Sequence, residues 1–409
     1  MQTNPPEAQP SSTSNPPPRK TAATSRLILV LAIVFVGMNL RPALLAVGPL
    51  MDSIQLGLDL SAVALGALIT LPVLCFGAFA PLAPRLLRFQ SAERLILLSL
   101  LILVVGIGLR SILGVFGLFA GTLVAGFSIS VVMVLLPSII KMHFPVQAGI
   151  MMGLYTTALA LGAAIAAAVT VPLAQLPGSD WRWALAFWLA PVIIAAAIWW
   201  PQTAGGEHPR NRVHAAVPRL RGNWLAWQVT LFMGAQGAIA YCIFGWLPLI
   251  LIDRGLTPVK AGFVLAAMMT VQLSTSLAGP WLATRGRDQR RAILAMMILV
   301  FVGFMGMLYG EITSVYWWST VFGLGFGGMF SIAMALLVLR SPSPQIAASL
   351  SGMAQGVGYT LAAVAPLIIG VLHDYTGNWN AVAVFFVLLI CGAAWSGLLA
   401  GRSKYIKAD

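Results

Sequence analysis

Residues 27–51 read LILVLAIVFVGMNLRPALLAVGPLM, an apolar run holding one charge, Arg41. A helix through it rises about 1.5 Å per residue, so Arg41 would lie roughly 21 Å from one end and 15 Å from the other. That is deep in a hydrocarbon layer about 30 Å thick. A guanidinium is costly there unless something anionic or polar meets it. The stretch therefore sets both the fold class and the functional question.

Twelve such runs follow one another, over 27–51, 61–84, 93–112, 115–140, 148–172, 182–201, 224–251, 258–283, 292–311, 316–339, 346–372 and 380–400. Each is long enough for a helix to cross the bilayer, and the ten-residue alternation of a transmembrane strand is absent. The expected fold class is an all-α polytopic membrane protein with 12 transmembrane helices. Composition agrees: 59% of the 409 residues are hydrophobic and 9% charged, where soluble domains carry about 25% charged residues. The net charge of +13 is spread in short clusters between apolar runs, so nucleic acid is not an expected partner. Cys75, Cys242 and Cys391 lie far apart inside apolar runs, which suits packing rather than a disulfide or a metal.

Residues 1–25, rich in Pro, Ser, Thr, Asn and Gln, read as a disordered tail, and no cleaved signal peptide precedes the first span. With twelve spans both termini share a side, and 19 of the 24 basic residues fall on it. The positive-inside rule puts that side in the cytoplasm and the protein in the inner membrane.

A constant offset of 199 residues pairs Pro49 with Pro248, Pro81 with Pro280, Arg88 with Arg287, Gly126 with Gly325, Lys141 with Arg340, Pro145 with Pro344 and Gly153 with Gly352. Two six-helix halves in parallel repeat are expected, 26–201 and 224–401, joined by a cytoplasmic linker, 202–223, and followed by a cytoplasmic tail, 402–409.

Arg41 has two readings. As a substrate group it faces a space left by Gly37 and Gly48, unless those small residues instead let a neighbouring helix approach closely; as a structural group it bonds carbonyls freed by Pro42 and Pro49. At the 199 offset it maps onto Ala240, so the charge is one-sided while the prolines are duplicated, which favours a ligand. No span holds a central carboxylate, so the simplest partner is an anionic or electron-rich substrate. Gln236, equivalent to Gly37, would face Arg41 from helix 7, with Tyr241 on another face unless Gly245 and Pro248 break that helix. Gln355 and Tyr359 share a face of helix 11. Tyr155 and Asn39 complete the candidate binding residues, Asn39 pointing away from Arg41 on a straight helix. Lys141, Arg340, Arg88, Arg287, Pro49 and Pro248 are candidates for gating or conformational roles, the first two also reading as interfacial anchors. The segment GLGFGG (323–328) lies in an apolar helix with no preceding strand, so it is not a nucleotide loop. No catalytic constellation, metal cluster or cofactor site is visible, and no enzymatic activity is expected.

Six plus six helices with both termini inside resembles the major facilitator superfamily. The loop PRLLRFQSAER (84–94) keeps the basic residues of that superfamily's loop signature and lacks its usual Asp, whereas TRGRDQRR (284–291) has one. NLRPALLAVGPL (39–50), LPSIIKMHFP (136–145), GWLP (245–248) and LSGMAQGVGY (350–359) look like its cyanate/nitroimidazole (CynX/NimT-like) branch. The resemblance implies a monomeric secondary transporter working by alternating access on a cyanate-like anion or small polar compound. Alternatives are an efflux carrier for nitroimidazole-like drugs and a non-transporting membrane sensor. Coupling to protons or a counter-ion is left open.

Overall fold

All twelve apolar runs form helices, and no strand occurs among the residues that the computed structural model describes: 20–47, 50–60, 62–204, 220–284 and 288–406. Gly48, Pro49, Arg287, residues 1–19 of the tail, 205–219 of the linker and the last three residues lie outside the described residues. The first half comprises α1 (Lys20–Leu40), α2 (Ala62–Phe79), α3 (Ala92–Ile112), α4 (Gly114–His143), α5 (Ala148–Ala174) and α6 (Leu189–Trp199). The second comprises α7 (Trp224–Asp253), α8 (Pro258–Thr284), α9 (Arg290–Tyr309), α10 (Val315–Leu339), α11 (Pro344–Thr376) and α12 (Asn380–Ala400). Among the described residues, 11 helices are long and apolar enough to cross a membrane. The remaining place belongs to α2, which ends in a 3-10 turn, Ala80–Leu82, and a short helix, Ala83–Leu86. Pro81 and Pro84 account for that irregular end, since neither has an N–H for the helical ladder.

The first span departs from the single helix expected over 27–51. α1 begins earlier, at Lys20, and stops at Leu40. Arg41 stands at the break, Pro42–Leu45 makes one more turn, and Met51–Leu58 is a separate helix. Pro42 cannot donate to the Met38 carbonyl four residues back, so the ladder opens just where Arg41 sits. The freed Met38 oxygen faces Gly162 of α5, where a Cβ would collide with it. α7 occupies the matching place in the second half and runs unbroken through Pro248.

Packing places α3 and α6 outside the first half and α9 and α12 outside the second. The halves meet through α11 against α2 and α4, α5 against α8 and α10, and α4 against α10. These contacts gather toward the face carrying Lys20 and Gly401, here called the terminal face. A Cβ at Gly352 would lie 2.8 Å from Pro84 Cγ, and one at Gly356 2.6 Å from Pro81 Cγ. Small residues thus bring α11 against α2 at backbone distance.

The pseudo-symmetry has a different register from the constant one expected. A Cβ at Gly37 would lie 3.1 Å from the Tyr155 ring and 3.2 Å from the Ala158 Cβ, and one at Gly237 would lie 3.1 Å from the Tyr359 ring and 3.2 Å from the Ala362 Cβ. Equivalent positions are therefore 200 residues apart between α1 and α7, and 204 apart between α5 and α11. Length changes in the intervening loops explain the drift. Arg41 then corresponds to Tyr241, not Ala240, and Gly37 to Gly237, not Gln236.

The described part of the carboxy-terminal tail, up to Ile406, is held against the second half. Ile406 is 1% exposed and its N–H donates to the Arg340 carbonyl at 2.9 Å, while the Gln289 N–H donates to the Gly401 carbonyl at 2.9 Å.

Candidate functional site

The break after Leu40 lets Arg41 leave the helical ladder and reach across to the second half. Its guanidinium carbon lies 5.6 Å from the centre of the Phe330 ring on α10, a cation–π contact between the halves. It is also within electrostatic reach of the Tyr155, Tyr241 and Tyr359 hydroxyls. Among the described residues it has no hydrogen-bond or carboxylate partner; the ion pairs are His143–Glu93, Arg182–Asp180 and Arg290–Asp288.

Three helices bring the tyrosines to this place. Tyr155 of α5 is fully buried beside Gly37, and its hydroxyl has no hydrogen-bond partner among the described residues. Tyr359 of α11 packs beside Gly237 and is 4% exposed. The Tyr241 ring of α7 lies 6.4 Å from that of Tyr359, and the Phe76 ring of α2 lies 5.8 Å from that of Tyr359. One cation, three phenols and two phenyl rings thus line the junction of the halves. They can meet negative or delocalised electron density with charge, hydrogen-bond donors and flat faces.

The other expected binding residues show no contact with Arg41 among the described residues. Asn39 donates to the Phe35 carbonyl at 2.8 Å, a bond within its own helix. Gln355 shares the helix of Tyr359 but donates to the Met133 carbonyl at 3.1 Å and the Ser351 hydroxyl at 2.7 Å. Gln236 is 2% exposed with Oε1 unpartnered, and no hydrogen bond among the described residues joins it to Arg41. Tyr241, expected on another face of an unbroken α7, is the residue that points to the junction. The shift from a 199 to a 200 register explains both differences. Gly37 admits the Tyr155 ring rather than leaving room beside Arg41.

Carbonyls freed near helix ends are met by a different arginine. Arg110, 3% exposed at the end of α3, donates to the Ala43 carbonyl in the turn after Arg41. Arg254, just past α7, donates to the Met307 and Gly310 carbonyls at the end of α9, and its burial lowers its pKa. At the terminal face Arg340 donates through Nε to the Ala400 carbonyl at 2.8 Å, stapling α10 to α12 within one half. Burial pushes its guanidinium down to about 10, partly offset by Tyr405 and Asp288. Lys141 is half-buried at the end of α4, Arg88 is exposed beyond α2, and Pro248 lies inside α7. Glu93, in the first turn of α3, is 6% exposed and lies 3.8 Å from His143 at the end of α4. Phe76 and Phe330 were not among the expected residues; their only signal was an aromatic side chain in an apolar helix.

The Major Facilitator Superfamily model matches residues 27–366, most of the chain and all of the helices lining the junction. The chain belongs to the major facilitator superfamily. It is 38% identical over 381 residues to the uncharacterized transporter YycB of Bacillus subtilis (strain 168), covering 92% of this chain and 94% of that protein. It is 35% identical over 386 residues to the 2-nitroimidazole transporter of Escherichia coli (strain K12), covering 94% and 98%. The cyanate transport protein CynX of the same organism is 30% identical over 365 residues, covering 89% and 94%. Among solved structures, the superfamily's proton:xylose symporter XylE bound to 6-bromo-6-deoxy-D-glucose superposes with a TM-score of 0.76 at 11% identity, covering 94% of this chain and 98% of that one. The fold is the superfamily's 12-helix arrangement, and the protein is a multi-pass secondary transporter of its cyanate/nitroimidazole branch.

Proposed function

We propose that the protein moves a small anionic or polar compound across the inner membrane by rocking its halves, 26–201 and 224–401, about a site built on Arg41. One observation carries this reading: a guanidinium at a helix break, touching the opposite half through Phe330, with no counter-ion among the described residues. In a low-dielectric junction such a group favours a ligand with negative charge, held through its planar fork of donors. Tyr155, Tyr241 and Tyr359 add neutral donors, and the site lies between the halves, where alternating access requires it. Names of relatives that carry cyanate and 2-nitroimidazole support this class. The basic clusters support a cytoplasmic terminal face, with Lys141 and Arg88 as its charged rim. The reading is of a monomeric carrier and not an enzyme, with proton or counter-ion coupling as its energy source.

Export of a nitroimidazole-like compound is the second reading. Phe76, Phe330 and the three tyrosine rings favour it, because flat faces suit a planar heteroaromatic ring.

Counterflow of labelled cyanate and labelled 2-nitroimidazole into proteoliposomes tests both. Arg41→Ala is expected to lower apparent affinity for the accepted compound roughly tenfold to a hundredfold, and Arg41→Lys to lower it less. Wild-type rate and affinity in Arg41→Ala would sink the reading.

A further inference from the structure

Proline frees carbonyls at three places where the halves touch. Pro137 lies inside α4 and has no N–H for the Met133 carbonyl four residues earlier. Pro280 leaves the Ser276 carbonyl of α8 without its helical donor, and Pro81 does the same to Gly77 at the end of α2. In hydrocarbon there is no water to repair such a loss, so another protein group must. Two of the three accept from a polar side chain of the opposite half, and at the third a threonine packs against the glycine itself. Gln355 of α11, 1% exposed, donates to Met133 O at 3.1 Å. Thr156 of α5 shares its hydroxyl proton between its own Gly153 O at 3.0 Å and Ser276 O at 3.4 Å. Thr360 of α11 lies so close over Gly77 that a Cβ there would overlap its hydroxyl, which donates to Gly356 O at 2.8 Å.

The two threonines are pseudo-symmetric partners, 204 residues apart, as are Gly77 and Ser276 at 199. The glutamine is not duplicated. In the registers of their own helices Gln355 corresponds to Met151 and Pro137 to Leu336, which keeps its N–H. The shorter of the two hydrogen bonds therefore exists once. It joins α11 to α4, two helices of opposite halves, near the face where the halves now touch.

We propose that Gln355 is a positioning residue of the transport cycle: its bond to the carbonyl that Pro137 frees holds the terminal face closed, and that bond must break for the face to open. Opening strands the buried Met133 carbonyl and leaves the Gln355 amide with Ser351 as its one acceptor, so the pair biases the resting population toward the closed state. This rests on the transport reading, but its failure is separable, because it predicts a population and not a flux.

The test uses the full-length protein in nanodiscs with Cys75→Ser, Cys242→Ala and Cys391→Ser, spin-labelled at Arg85→Cys and Ser403→Cys, two exposed terminal-face positions in opposite halves. Pulsed electron resonance reads the share of molecules with long interspin distance. Gln355→Met is expected to raise the open-to-closed ratio roughly threefold to tenfold, the range of one interhelical hydrogen bond in a bilayer. Pro137→Ala, which returns a helical donor to Met133, is expected to act in the same direction. The double variant is expected to match the larger single effect. An unchanged distribution in Gln355→Met, or fully additive effects in the double variant, would overturn the proposal. Should Gln355→Met fail to yield monodisperse protein, Gln355→Asn, too short to reach Met133, replaces it with the same expected outcome. Wild-type counterflow, measured in parallel, tests the transport reading on its own.

Discussion

α1 and α7 hold equivalent places in the two halves, yet they solve different problems. Each presses a glycine, Gly37 or Gly237, against the ring of a tyrosine one helix away, with matching distances. Four residues on, α1 carries Arg41 beside a proline break, whereas α7 carries Tyr241 on an unbroken helix. The frame is shared and the charge is not. A duplicated scaffold thus gives two similar walls, and a single substitution on one of them gives the cavity a pole. The break matters as much as the residue, because a guanidinium on a straight helix would be held to that helix's own face. Here Pro42 opens the ladder and Arg110 satisfies the turn that follows, which leaves Arg41 free of backbone duty.

This contrast can be broken. The largest expected effect is that of Arg41→Ala: losing charge-assisted bonds of about 1.5–3 kcal/mol should lower apparent affinity in counterflow roughly tenfold to a hundredfold. Moving the pole sharpens the point. Arg41→Tyr combined with Tyr241→Arg should recover about tenfold of the affinity lost by Arg41→Tyr alone; no recovery would mean that the α1 break, not the charge, carries the asymmetry. Next come the shared contacts. Gly37→Val and Gly237→Val should each destabilise by about 1–3 kcal/mol through overpacking against Tyr155 or Tyr359, read as thermal unfolding in detergent. A large inequality between them would contradict the equivalence of the two walls. The smallest effects belong to single hydroxyls. Tyr155→Phe and Tyr359→Phe should raise the transport KM about twofold to tenfold, the worth of one neutral hydrogen bond near 1 kcal/mol, with thermal stability unchanged.

Hydrophobic length made the helices and their order legible, because crossing a bilayer demands about twenty apolar residues whatever lies around them. Arg41 stood out for the same reason, as a charge that only function or a buried partner excuses. The partners of Arg41 were less visible. A constant repeat offset drifts by one to five residues when loops differ in length, and one residue turns a helical position by about 100°. That slip alone moved attention from Tyr241 to Gln236. Gln355 was singled out as polar, but its acceptor is a backbone oxygen more than two hundred residues away, released by Pro137. Nothing local in either segment announces that pairing. Phe76 and Phe330 are ordinary apolar residues until the fold places them around a cation.

The end of the chain has a practical consequence. Ile406 is buried, and its N–H is bonded to the carbonyl of Arg340, the residue that staples α10 to α12. A fluorescent protein or affinity handle fused after Asp409 would hang three residues beyond that anchor and pull directly on the joint between two helices of the second half. Assays that rely on a carboxy-terminal reporter would then measure a carrier whose second half is under load.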